Sequence, residues 1–274
     1  MSTALTLVLA AAGAAGGVWL LTRVDPAWWL SVGIVATAFT SHWDKLGIPF
    51  AVDRLLLGAG ILAVVLRLGP AKHRPVIRLN AVHVLLGVVV AYAICSAFFA
   101  HTLSDRDAQY EILDRLGIVP FILYALAPVV FYDDRRRGIL LGVLVCFGLY
   151  LGLTAIAEGL KPLHSLVWPR YIMDPTYGIH ANRARGPFLE AVGMGLGLIV
   201  CMAAAAMALR RWRDPLARAV AWGTLLVCPA GIALTYTRSV WLAAVISVVV
   251  GLVAYPDLRS RLVPIMALAA GALA

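Results

Sequence analysis

Long apolar runs alternate with short polar ones along almost the whole chain. About 20 apolar residues are what a helix needs to cross the hydrocarbon of a bilayer. On that pattern, spans are expected at 4–22, 27–41, 50–66, 79–100, 116–132, 138–157, 188–209, 219–235 and 240–255, with a tenth starting at 262. No run shows the dyad alternation of a membrane barrel. Backbone in lipid must also satisfy its own hydrogen bonds, so each run is read as helix. The expected fold class is all-α: a polytopic transmembrane helical bundle of about ten spans, forming a single transmembrane domain over 1–274. Pro128 and Pro229 lie within runs and predict kinks. Gly193 and Gly197, one helical turn apart, predict close approach of a neighbouring helix. Trp28, Trp29 and Trp43 have the placement of interface anchors.

One stretch breaks the alternation. Residues 159–190 form a long polar interruption crowded with Lys161, His164, Trp168, Arg170, Tyr171, Asp174, Tyr177, His180, Asn182, Arg183 and Arg185. Loops of this length are commonly functional or disordered, and the aromatic and proline content argues for order. It is expected to form one wall of an active or binding site.

Composition agrees with the pattern: 62% of residues are hydrophobic and 14% charged, with a mean hydropathy of +0.90. A net charge of +9 would suggest nucleic acid in a soluble protein. Here the charge lies in loops, and no nucleic-acid partner is expected. The short loops 67–78, 133–137, 210–218 and 256–261 hold thirteen Lys and Arg residues. The loops 41–54, 101–115, 159–190 and 236–239 hold nine over much more chain. The positive-inside rule therefore puts the first set in the cytoplasm, making 159–190 an extracytoplasmic loop with Arg238 on the same face. The expected location is a multi-pass protein of the cytoplasmic (inner) membrane with its active face outside. No Lys or Arg precedes the first run, which predicts a retained span rather than a cleaved signal. The last run reaches only 13 residues before Ala274, roughly 20 Å against the roughly 30 Å of a bilayer core. The sequence is accordingly read as a piece of a longer chain. Cys95, Cys146, Cys201 and Cys228 sit inside apolar runs without ligand spacing and are read as small buried residues, with no metal site expected.

Two arginine clusters carry the candidate chemistry. Arg183 and Arg185 precede Gly186 and Pro187, and Pro187 suits the first position of a helix. Helix-end amides, the positive dipole end and two guanidiniums together favour a phosphate; lipid-headgroup anchoring is the alternative. Arg238 stands between apolar runs in Thr235-Tyr236-Thr237-Arg238-Ser239. A charge at that depth needs a partner or a function, or else snorkels to the interface. Thr235 and Thr237 add hydroxyls, and Ser239 is placed to cap the next helix. His180 and His164 are weak candidates for a catalytic base. His101, Asp105, Asp107, Glu111 and Asp114 suggest a divalent-ion site less well than a surface amphipathic helix marked by Tyr110, Leu113 and Leu116. Asp53 and Arg54 are read as an interface pair and His83 as a hydrogen-bonded core histidine.

Arg183-Ala184-Arg185-Gly186-Pro187-Phe188, followed some fifty residues later by Leu234-Thr235-Tyr236-Thr237-Arg238-Ser239-Val240-Trp241-Leu242, resembles the O-antigen ligase and O-antigen polymerase family of membrane glycosyltransferases. Members show Arg-x-x-Gly-x-Phe before one span and a Thr-x-Ser-Arg-Gly-like turn before a later one. Arg183 and Gly186 match the first motif, Thr235 and Arg238 the second. Trp43-Asp44-Lys45-Leu46-Gly47-Ile48-Pro49 with Asp53-Arg54 adds a fainter likeness. Leu189 and Glu190 stand where the family has Asn-Pro, Thr237 replaces Ser, and Ser239 replaces Gly.

The resemblance implies a glycosyltransferase C-like membrane fold and metal-independent, inverting transfer without a cofactor. The donor would be a polyprenyl-diphosphate-linked glycan and the acceptor a glycan or lipid. Arg183, Arg185 and Arg238 would bind the diphosphate, supported by Gly186, Pro187, Thr235 and Thr237. The family's histidine comes from a later extracytoplasmic loop. The competing reading is a transporter or flippase of a lipid-linked or anionic solute, which the in-span prolines keep open.

Overall fold

A computed structural model of the chain describes residues 16, 17, 19–40, 42–67, 80–105, 108, 109, 112, 113 and 117–255. Regular structure among them is helical, without strands: α1 (Pro26–Ala36), α2 (Val52–Arg67), α3 (Ala81–Phe99), α4 (Ile118–Val130), α5 (Asp134–Gly159), α6 (Ala191–Arg211), α7 (Pro215–Leu234) and α8 (Arg238–Ala254). Four of them, α3, α5, α6 and α7, are long and apolar enough to cross a membrane. Helices α1 (with its 3-10 extension to Phe39), α4 and α8 are apolar but shorter. Most of the expected first span, the whole tenth, the loop 256–261 and nearly all of 67–78 lie outside the described residues. So do Asp107, Tyr110, Glu111, Asp114 and Leu116 of the acidic stretch.

The chain packs as two compact units: residues 63–137, and residues 1–62 with 138–274. In the smaller unit, Asn80 caps α3 by accepting from the Val82 and His83 amides, and His83 Nδ1 accepts from the Asn80 amide at 3.1 Å. The buried His83 ring lies 4.7 Å from that of Tyr124 on α4, whose hydroxyl accepts from Asn80 Nδ2 at 3.2 Å. The expected core histidine is thus one half of a capping box.

In the larger unit, α6 and α7 form a hairpin. Asp214 caps α7 by accepting from the Ala217 amide at 2.7 Å, with Pro215 in the first turn. Helix α5 fits against this pair through small residues. A Cβ on Gly148 would collide with Cys201 and Thr224, and one on Gly152 with Val227. Thr224 Oγ1 donates to the Val145 carbonyl at 2.9 Å, so its buried hydroxyl is satisfied. Leu151, Ala155, Met194, Leu198, Cys228 and Val240 join α5 to α8 in one core. Cys201 and Cys228 are buried as expected, whereas Cys95 and Cys146 face outward from their helices.

Three sequence expectations shift here. Close approach on α6 is made by Gly195 against Val240 of α8 and by Gly197, where a Cβ would lie 3.3 Å from Leu151 of α5 and 3.2 Å from the Phe188 ring, whereas Gly193 faces only the Phe188 side chain, at 3.3 Å. Helix α6 starts at Ala191, and Pro187 belongs to a separate 3-10 turn, Gly186–Phe188. The break is Leu189, whose φ of +53° is left-handed. Its side chain is drawn into a buried cluster with Val167, Tyr171 and Ile172, and its carbonyl accepts from Ile179 at 3.2 Å. Ser239 is exposed and Thr237 takes the N-cap position of α8. Pro128 and Pro229 lie inside α4 and α7, within the runs where the sequence put them.

Candidate functional site

The long loop 159–190 is ordered by its own polar groups. Three 3-10 turns, Lys161–Leu166, Arg170–Met173 and Gly186–Phe188, leave carbonyls that no helix satisfies. Arg185 collects carbonyls from the second of these turns and the bend after it. Its guanidinium donates to Tyr177 O at 2.6 Å, Ile172 O at 2.8 Å and Asp174 O at 3.3 Å. The residue is 2% exposed. A planar donor fork suits this role. The diphosphate role expected for Arg185 is therefore not the one its geometry serves: Nη1 and Nη2 are turned into the loop.

Below it, the Glu158 carboxylate at the end of α5 accepts from the Gly186 amide at 2.8 Å and the Arg185 amide at 3.1 Å. These amides immediately precede the helix end from which the sequence predicted a phosphate cradle, and the chain's own carboxylate occupies them. Gly186 is required twice over: its φ is +53°, and a Cβ there would strike Met194.

The two arginine motifs meet. The Ala184 amide donates to the Leu234 carbonyl at 3.0 Å, joining the first motif to the end of α7. Beside this junction lies a cleft of about 300 Å³ whose wall includes Glu158, Lys161, His164, Asn182, Arg183 and Tyr236. Arg183 is half-buried on that wall. Arg238 opens α8 two residues beyond Tyr236, exposed and outside the cleft lining. The side chains of Arg183 and Arg238 have no hydrogen-bond or ion-pair partner among the described residues, which leaves both available to an anion.

The hydroxyls expected to support Arg238 turn backwards. Thr235 Oγ1 donates to Ile232 O at 2.7 Å and Thr237 Oγ1 to Thr235 O at 2.9 Å. The Trp241 indole also donates to Ile232 O, at 3.0 Å. They close the end of α7 and hold the turn at Tyr236, whose φ is +47°. Pro187, likewise expected as support, is buried in its 3-10 turn, and its carbonyl accepts from the Tyr171 hydroxyl at 3.4 Å.

Of the two candidate bases, only His164 lies on the cleft wall. Its Nε2 is 3.0 Å from the Glu158 carbonyl. A carbonyl can only accept, so Nε2 carries the proton and Nδ1 is the open nitrogen. His180 is exposed outside the cleft, with φ of 56°.

Residues 37–40 and 42–50 pack against the loop. Asp53, 3% exposed, accepts from Thr40 Oγ1 at 2.8 Å and from Trp43 Nε1 at 2.7 Å. Trp43 is thereby tied to Asp53, which acts as a tether. The His42 ring stacks on Tyr171 at 5.4 Å, and Lys45 Nζ lies 4.6 Å from the centre of the Tyr177 ring. Burial pushes the His42 pKa below the ordinary imidazole value, and burial likewise pushes the Tyr171 phenol up. Hydrogen bonds from Thr176 hold Asp174 below the usual carboxylate range.

Sequence reasoning missed Glu158 and the roles of Arg185 and Asp53. Glu158 did carry a signal, as the one acid at the end of an apolar run just before the polar loop. No protein-family model, curated protein or solved structure matches this chain.

Proposed function

We propose that the chain is an integral membrane glycosyltransferase that transfers or polymerises a polyprenyl-diphosphate-linked glycan onto a glycan or lipid acceptor, at the outer face of the cytoplasmic membrane. The observation that carries this reading is the junction at Ala184 and Leu234. It brings Arg183, on a cleft wall, to the turn that presents Arg238, and neither guanidinium has a partner among the described residues. A diphosphate leaving group gains negative charge as the glycosidic bond breaks, and fixed guanidiniums stabilise that charge. The membrane-length helices supply the setting a polyprenyl tail needs. The acceptor oxygen attacks the anomeric carbon, the carbon–oxygen bond to the diphosphate breaks, and the leaving oxygen keeps the electron pair. The acceptor proton passes to a base. Arg185, Thr235 and Thr237 hold the two segments in place rather than touching the ligand.

The test is Arg183→Ala and Arg238→Ala in the full chain, expressed in cells that make the glycan, with membrane insertion checked by detergent extraction. Loss of the glycan product with insertion intact is expected. Unchanged product in both variants refutes the reading.

A further inference from the structure

The two amides that Glu158 holds have the geometry of an anion nest. Arg185 is right-handed, with φ −113° and ψ −27°, and Gly186 is left-handed, with φ +53°. Successive N–H groups in that order converge on one point and bind a single anionic oxygen. Glu158 places one there: its Oε2 is 2.8 Å from the Gly186 amide and 3.1 Å from the Arg185 amide.

Two further observations point to an outside ligand. Glu158 and Arg185 line the cleft, with the Gly186 amide behind the Glu158 carboxylate, so the occupant of the nest is the group that faces the cleft. The same wall carries Arg183 and Lys161, neither with a side-chain partner among the described residues. The wall thus bears two unpaired cations and one carboxylate that is turned onto backbone.

We propose that the Arg185–Gly186 nest is an anion-binding site that the chain itself keeps filled with Glu158, and that a phosphate oxygen entering the cleft competes with Glu158 for the same two amides. The inference rests on the site of the proposed function and adds a displaceable internal occupant to it. With Glu158 in place the nest is closed and both amides are satisfied. When a phosphate oxygen takes them, the released carboxylate turns into the cleft. The cost of that exchange lowers affinity for small anions. A ligand held elsewhere as well, by Arg183 and Arg238, meets that cost most easily.

The experiment compares wild type, Glu158→Gln and Glu158→Ala as full chains in detergent micelles. Binding of inorganic diphosphate and, in a parallel arm, of polyprenyl diphosphate is measured by calorimetry at fixed ionic strength. Gln removes the charge but keeps an acceptor oxygen on the nest; Ala removes both. Binding by Ala should exceed binding by Gln roughly tenfold, because two amides become available to a charged acceptor. A gain in both arms assigns phosphate itself, and a gain in the lipid arm alone assigns the lipid-linked form. An Ala variant no tighter than Gln in either arm overturns the proposal. Should Ala not fold, Glu158→Ser, which leaves the nest to water, takes its place under the same criterion. Failure here leaves the arginine reading standing. Conversely, unchanged glycan product in Arg183→Ala and Arg238→Ala sinks that reading without touching the Gln-against-Ala comparison.

Discussion

Arg183 and Arg185 stand two residues apart in one motif and have opposite environments. Arg185 is sealed in the floor of the loop with three carbonyls around its guanidinium. Arg183 sits on the cleft wall with its side chain unpartnered among the described residues. The rim, with Arg183 and Arg238, can act on a ligand because none of the described residues consumes its donors. The floor fixes where the rim points. A guanidinium in a polar loop is therefore not a binding group by its charge alone. What decides is whether nearby backbone has carbonyls to offer it.

That contrast can be broken from the rim first. Arg183→Ala and Arg238→Ala should each lower the rate of glycan transfer by roughly a hundredfold or more, the scale of losing one fixed donor to developing charge. The melting temperature in detergent should stay at the wild-type value. A rate loss accompanied by an equal loss of melting temperature would move these residues to the floor.

The floor should respond in the opposite way. Arg185→Ala leaves buried carbonyls without donors and should cost about 3 kcal/mol of stability. Chemical denaturation reads this as an early transition and limited proteolysis as cleavage within 159–190. An Arg185→Ala protein as stable as wild type, yet unable to bind diphosphate, would return Arg185 to the site.

Asp53 is the tether of the covering segment. Asp53→Ala orphans the Thr40 hydroxyl and the Trp43 indole and should cost about 2 kcal/mol. Trp43 fluorescence should shift as its indole loses the carboxylate.

The smallest effect is a pH dependence. His42 is held below its unfolded pKa of 6.5 by burial. The folded state thus disfavours the charged ring. Its contribution is present above about pH 6.5 and is lost as pH falls through the lowered folded value. Melting temperature should decline more steeply below pH 6.5 in wild type than in His42→Phe, which keeps the stack on Tyr171. Parallel pH profiles for the two proteins would exclude His42 as the titrating group.

Much of the helical layout was legible in the chain, for local reasons. The runs at 79–100, 138–157, 188–209 and 219–235 became α3, α5, α6 and α7 within a few residues, because span length and apolarity are properties of a window. The start of α6 was misread. A proline after a glycine looks like a first helical turn, and only the burial of Leu189 beside Tyr171 moves the helix on to Ala191. The candidate site was legible as a set of residue types and not as roles. Arg183 and Arg238 could be named from spacing. That Thr235 and Thr237 would turn back onto α7 could not, nor that Glu158 would reach across to residues 185 and 186.

Composition and apolar periodicity by themselves determined that this chain is helical, that its helices are apolar enough for a membrane, and that one long polar stretch stands apart. These follow from hydrogen-bond satisfaction and the size of a bilayer, which act on every segment separately. Tertiary structure alone decided which cation is free, which is consumed, and which amides are already filled. Those outcomes depend on where carbonyls and carboxylates from distant segments come to rest, and no window of sequence contains both partners.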